Sequence, residues 1–251
     1  MQCYAACLGD CSEKISQEHT ISACLYPNQF IVVQGLPWCR EVPKNVRIES
    51  LTQPILCKKH NEELGKNVDW ASEHSRDTLG RAFDLQSVRQ KVLSRRWTIK
   101  YFETDMSLLE RWCLKTLINV NHQSGWRYLD DAAPDSPPNE LVEVAFGRRR
   151  FKDHKGLYAI AQNGSQITMN DDWLRITTKT RNVDERLVGA TFHLWGFPFY
   201  LNLIPEPISW AGANLMRHTI TMWFQTLDHK GRNVKSHKVT FKYPDTESQS
   251  V

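Results

Sequence analysis

The 251-residue chain has no apolar run approaching the about 18 residues that a membrane-spanning helix needs, so no membrane partner is expected. Its opening, MQCYAACLGDCSEK, lacks the basic start and apolar stretch of a secretory leader, which makes a cytoplasmic location the expectation. No Walker A loop, Rossmann glycine pattern or Gly-x-Ser-x-Gly elbow occurs, which argues against nucleotide-driven and α/β-hydrolase chemistry. No internal repeat is visible. Charge of neither sign dominates: the net +4 permits a polyanionic partner without demanding one. The 41% hydrophobic and 24% charged fractions are those of an ordinary globular protein, and the length allows one large domain or two small ones.

What the chain does have is cysteine in a telling place. Cys3, Cys7 and Cys11 are followed by Glu18-His19 and then by Cys57-Lys58-Lys59-His60-Asn61. In a reducing compartment, clustered cysteines are read as metal ligands before disulfides. Structural zinc sites take four Cys or His ligands in two pairs. Cys57-x-x-His60 makes a good second pair, because its spacing lets both side chains face one ion from the first turn of a helix. The first pair stays open. Cys7-x3-Cys11 is nearest an ordinary knuckle, while Cys3 with Cys11 uses a longer loop through Leu8-Gly9-Asp10, whose Gly-Asp suits a tight turn. Cys24, Cys39 and Cys113 read as small buried hydrophobes.

Between the two pairs lies a set of groups suited to hydrolysis. His19, at the end of a first strand, faces the helix that carries Asn61, and a neutral imidazole is a suitable general base for water. Glu18 and Asn61 offer oxygens, which suit Mg²⁺ or Mn²⁺ rather than zinc. Such an ion stabilises charge on a scissile phosphate and its leaving 3′ oxygen.

The pattern along the chain predicts an α+β fold. Residues 1–80 form the Cys/His-rich unit, with a strand and turn over Phe30 to Gly35, a second strand over Val46 to Ile48 and a helix from Cys57 to Leu64. That is a ββα order, which needs a metal staple because so small a unit buries little by itself. Residues 81–129 form a helical segment, part of a helical pattern over about 71–122 in which Leu79, Phe83, Leu85, Val88, Val92 and Leu93 recur at helical spacing. Leu108, Leu109, Trp112, Cys113 and Leu117 repeat it behind a cap at Asp105 to Ser107. Trp97 to Phe102, between them, has strand character. A Pro-rich linker or loop occupies 130–140, and a β-rich accessory domain 141–251. The strands expected there cover Leu157 to Ala161, Leu174 to Thr178, Ala190 to Trp195 and Phe199 to Leu203. A closing hairpin joins His218–Leu227 to Asn233–Tyr243.

CLGDCSEKISQEH followed by ILCKKHNEELGKNVD resembles the HNH, or His-Me finger, endonuclease superfamily. In layout it is closest to the branch with a CxxC knuckle, an acidic-His pair and a terminal CxxCN, the pattern of phage junction resolvases. The resemblance covers about the first 75 residues and implies a zinc-stapled treble-clef, ββα-metal fold there. It implies Cys11, Cys57, His60 and one of Cys3 or Cys7 as structural Zn²⁺ ligands. It also implies His19 as general base, and Glu18 and Asn61 as ligands of one catalytic Mg²⁺ or Mn²⁺. DNA is the substrate it favours. The long gap between His19 and Cys57 implies an insertion within the finger.

Other residues carry weaker signals. Arg148, Arg149 and Arg150 could contact phosphates or simply form an exposed basic loop. His74 reads as a solvated helix residue, and Asp69 as a cap or a support for the finger. Trp195, Phe197, Phe199 and Trp210 read as core aromatics. The alternative functions are a non-catalytic treble-clef zinc module binding nucleic acid or a protein partner, and a phage-defence nuclease subunit that needs a partner.

Overall fold

The computed structural model describes residues 3–26, 30–92, 98–129, 136–161, 173–194, 196–209 and 213–243. Strand β1 (Ile15–His19) runs antiparallel to a strand far along the chain, Thr52–Cys57, which is β4 in chain order. Ile15 lies opposite Cys57 and His19 opposite Thr52, with a bulge between Ser16 and Glu18. Helix α1 (Lys58–Leu64) leaves β4 directly, so a ββα unit is present.

Its strands differ from those expected. The β-branched run β2 (Phe30–Gln34) and its hairpin partner β3 (Lys44–Arg47) do pair, but they belong to the insertion between β1 and β4. The apolar side of β2, Ile31 and Val33, is buried, and a two-stranded finger offers too little surface to cover it. The strand instead runs parallel to β7 (Trp173–Thr180) within a larger sheet, with β3 as its edge. Gly35 makes this approach possible. It has φ +89°, and a Cβ there would stand 1.4 Å from the Ile176 carbonyl oxygen.

After α1 the helix continues through a π-helical turn (Gly65–Asp69) into α2 (Trp70–Lys91). Strand β5 (Lys100–Asp105) and α3 (Met106–Ser124) follow, and the expected cap is present. Asp105 Oδ1 accepts from the Ser107 and Leu108 backbone N–H groups at 2.8 and 3.3 Å. From Trp112 to Asn121 every residue of α3 is buried, which makes it the central helix rather than a half-exposed one. Helix α4 (Asn139–Ala145) begins inside the stretch expected to be linker; its Leu141, Val142, Val144 and Ala145 are buried, which is why the chain turns helical there. Residues 130–135 of that stretch lie outside the described residues.

The large sheet has the order β10-β6-β9-β8-β7-β2-β3, with β6 (Gly156–Ala161), β8 (Leu187–Leu194), β9 (Phe197–Asn202) and β10 (Asn214–Met216). It is antiparallel except at β2–β7. The expected closing hairpin is β11 (Ile220–Leu227) with β12 (Asn233–Lys242), and β5 adds to it in parallel. The three expected segments therefore share sheets: β2 and β3 come from before residue 80, and β5 from the helical segment. A single apolar core runs from Cys3 to Phe241.

The helical reading of α2 fails at one face. Val88 and Val92 are exposed, while Arg89 is buried, because its guanidinium bonds Ser236 on β12 and the Thr98 carbonyl. Phe197 and Phe199 are core residues as expected; Leu93, Trp97, Trp195 and Trp210 lie outside the described residues. Among the described residues, no helix is long and apolar enough to cross a membrane.

Candidate metal centre

Cys3, Cys11, Cys57 and His60 come together at the base of the ββα unit, with their ligand atoms all within 4.8 Å of one another. The three sulfurs lie 3.4, 3.7 and 3.3 Å from His60 Nδ1. One ring nitrogen cannot share a hydrogen bond with three thiols at once, so their convergence is better read as ligands facing a common point. In a tetrahedral zinc site, with Zn–S near 2.3 Å and Zn–N near 2.0–2.1 Å, the sulfur-to-nitrogen edge is about 3.6 Å. The observed distances bracket that value. The donor set fits a metal ion.

Local chemistry explains each position. Cys57 ends β4 and His60 sits one turn into α1, which puts both on the same side. Cys3 is buried and fixed against β4, where the Tyr4 N–H donates to the Ile55 carbonyl at 3.0 Å. The chain then makes a 3-10 turn over Ala6–Leu8 and returns through Gly9 and Asp10, both with positive φ, to place Cys11. Cys7 sits on that turn, exposed and outside the group. The Cys7–Cys11 pairing is thus replaced by Cys3–Cys11, the longer loop. Burial raises the Cys57 thiol, but the His60 backbone N–H and Ser12 outweigh it and bring the thiol down to about 7. The Cys3 thiol is pushed by burial up to about 12. Behind the imidazole, Asp10 Oδ1 faces His60 Nε2 at 3.5 Å and its other oxygen pairs with Lys59. Phe146, just past α4, packs edge-on against the His60 ring at 5.4 Å.

Glu18 does not stand where a ligand of a hard cation should. Its side chain is buried, and Lys115 Nζ of α3 lies 2.6 Å from Oε1. Asn119 Nδ2 donates to the same oxygen at 3.2 Å. The same ammonium reaches both Asp69 oxygens, at 2.8 and 2.9 Å, and Ser22 Oγ ties Asp69 Oδ1 to the Trp112 indole N–H. Burial opposes the Lys115 charge, but Glu18 and Asp69 outweigh it, so its pKa is raised. The place of a cation beside Glu18 is filled by a side chain. The Glu18–Asn61 ligand pair therefore does not fit a divalent ion in this arrangement.

Asn61 Nδ2 donates to Ser16 Oγ and to the Gln17 carbonyl, each at 2.9 Å, pinning α1 to β1 just before the Glu18-His19 pair. Asn61 lines an open cleft of about 460 Å³ with Lys14, Ser16, Lys58, Glu62 and Gly65. His19 is half-buried, and its Nδ1 is shielded from solvent with no hydrogen-bond partner among the described residues. It does not line that cleft.

The other candidates fall on the surface or in the core. Arg148 pairs with Glu63 at 2.8 Å and Arg149 with Glu143 at 3.6 Å, so both guanidiniums already have carboxylates. Arg150 is exposed. His74 is exposed and stacks on Trp70. Asp69 gives α2 no side-chain cap and serves the Lys115 network instead. Cys39 and Cys113 are buried as expected, whereas Cys24 is exposed. Sequence reasoning missed Lys115 and Asn119, since a lysine four residues before an asparagine on a helix gives no sign of facing inward. No protein-family profile, curated protein or solved structure matches the chain.

Proposed function

We propose that this chain is an HNH-type endonuclease whose zinc-stapled finger hydrolyses phosphodiester bonds, with DNA as substrate and His19 as the group that activates water. The observation that carries this reading is the β1–β4–α1 unit with Cys3, Cys11, Cys57 and His60 at its base, in the order that the resemblance to His-Me fingers requires. The zinc ion, held by those four residues, supplies no chemistry to the reaction; it fixes β4 and α1 against the N-terminal loop. His19 stands at the end of β1, and with its Nδ1 shielded from solvent the other ring nitrogen is the one that takes a proton from water. Asn61 holds the β1 backbone in place, and Lys14 leaves the cleft a positive charge for a phosphate backbone, Lys58 being paired there with Glu62 at 3.8 Å.

A second reading, a non-catalytic zinc module that binds nucleic acid or a protein, is favoured by the Glu18–Lys115 pair, which withholds the acidic group that the resemblance assigns to a catalytic Mg²⁺ or Mn²⁺. Plasmid cleavage by the pure protein, with Mg²⁺, Mn²⁺ or EDTA and beside His19→Ala, separates the two. Nicking that disappears in His19→Ala supports the nuclease. Absence of cleavage in every arm, with zinc still bound, supports the binding module. Equal cleavage by both proteins removes His19 from the reaction.

A further inference from the structure

The outer face of the β11–β12–β5 sheet sets aromatic rings and lysines side by side. Trp223 on β11 lies opposite Lys238 on β12, which lies opposite Tyr101 on β5, one row across three strands. Lys238 Nζ is 4.8 Å from the Tyr101 ring centroid and 5.9 Å from that of Trp223, and Lys235 Nζ sits 4.4 Å over Trp223. The opposite face of the same sheet is core: His237, Val239 and Phe241 are buried. Alternation along the strands therefore leaves the aromatic row outside, with Tyr101 61% and Trp223 37% exposed.

Two features of this face point to a ligand. Large rings on a solvent-facing sheet leave apolar area uncovered, where the polar alternation of a one-sided sheet calls for none. The cations beside them are also unneutralised. Glu103 on the same face is paired with Lys242 at 2.7 Å, but no carboxylate pairs with Lys235 or Lys238 among the described residues. Flat π-faces flanked by free ammoniums match a strand that alternates bases with phosphates. Duplex DNA hides its base faces within the stack and cannot use such rings.

We infer that the outer face of β11–β12–β5 is a stacking platform for single-stranded nucleic acid, on which Trp223 and Tyr101 take bases while Lys235 and Lys238 swing from the rings to the phosphates. The flexible four-carbon lysine stem allows that exchange. This surface is separate from the finger, and the inference stands whether or not the finger cleaves.

The test is fluorescence anisotropy of the full-length, zinc-loaded protein with short labelled oligothymidine, oligouridine and a blunt duplex, without added Mg²⁺ or Mn²⁺. Single strands are expected to bind more tightly than the duplex and to quench tryptophan emission, with either sugar accepted. Trp223→Ala and Tyr101→Ala should each weaken binding about tenfold, the loss expected for one base–ring stack. Lys238→Glu should weaken it further and flatten the salt dependence. Each variant is compared only after its thermal melt matches the wild type. No binding of any single strand, or wild-type binding by Trp223→Ala and Lys238→Glu together, would overturn the platform. So would binding that falls with Lys14→Ala and Lys58→Ala instead, since that result assigns the strand to the finger cleft.

Discussion

Lys115 Nζ meets Glu18 Oε1 at 2.6 Å with both side chains withdrawn from solvent, and the same ammonium closes on Asp69. Such a pair survives only because each charge is neutralised and hydrogen-bonded; removing one partner strands the other. Lys115→Met should therefore lower the unfolding free energy by about 3–5 kcal/mol in urea titration. Glu18→Gln combined with Lys115→Met should cost less than the two separate losses added together, because the residues form one unit. Strict additivity in that cycle would mean that the pair is not coupled.

The metal centre makes a sharper distinction between two neighbouring cysteines. Cys11→Ser and Cys57→Ser should lose stoichiometric zinc and melt at lower temperature, while Cys7→Ser keeps both metal content and Tm. Chelation of the wild type should reproduce the ligand variants, because both remove the same metal-held link between the N-terminal loop, β4 and α1. Elemental analysis alongside thermal melts decides the matter, and retention of zinc by Cys57→Ser would dissolve the cluster.

Gly35 is where the insertion reaches the large sheet. A methyl group there would overlap the Ile176 carbonyl oxygen and force an unfavourable φ as well. Gly35→Ala should detach β2 and β3 from β7 and leave the protein largely insoluble, whereas Gly65→Ala, with open space around it and a helical φ, should remain soluble. Soluble yield and amide exchange across β2 and β7 measure the difference.

Acid should loosen the turn of the β11–β12 hairpin. Asp228 accepts from the Arg232 and Lys230 backbone N–H groups at 2.9 and 2.8 Å and from Arg232 Nε at 2.9 Å. Those bonds, the Arg232 backbone first, hold its carboxyl at about 2, below the ordinary 3.8. A lowered folded value means that the ionised form is favoured by the native turn. Its stabilisation is complete above the ordinary value and is lost as the pH falls toward about 2. Asp228→Asn should remove that part of the acid transition as read by amide exchange across β11 and β12, leaving the share of Asp184, which Arg181 also holds at about 2.

Much of this protein is written in short-range spacing. The cap at Asp105, the strand runs of the second half and the closing hairpin are local patterns, and all appear at or near their expected positions. Cys57 and His60 were legible for the same reason, since three residues on a helix turn face one way.

What the tertiary structure alone decided is partnership across long stretches of chain. Cys3 displaced Cys7 because β4 fixes Tyr4 and leaves the intervening turn facing outward. The pair β2–β3 left the finger because only the large sheet could bury Ile31 and Val33. Glu18, read as a ligand from its place beside His19, found Lys115 on the central helix instead. Local order fixes which groups a segment presents. Burial and the neutralisation of buried charge choose what they meet, and that choice depends on the whole core at once.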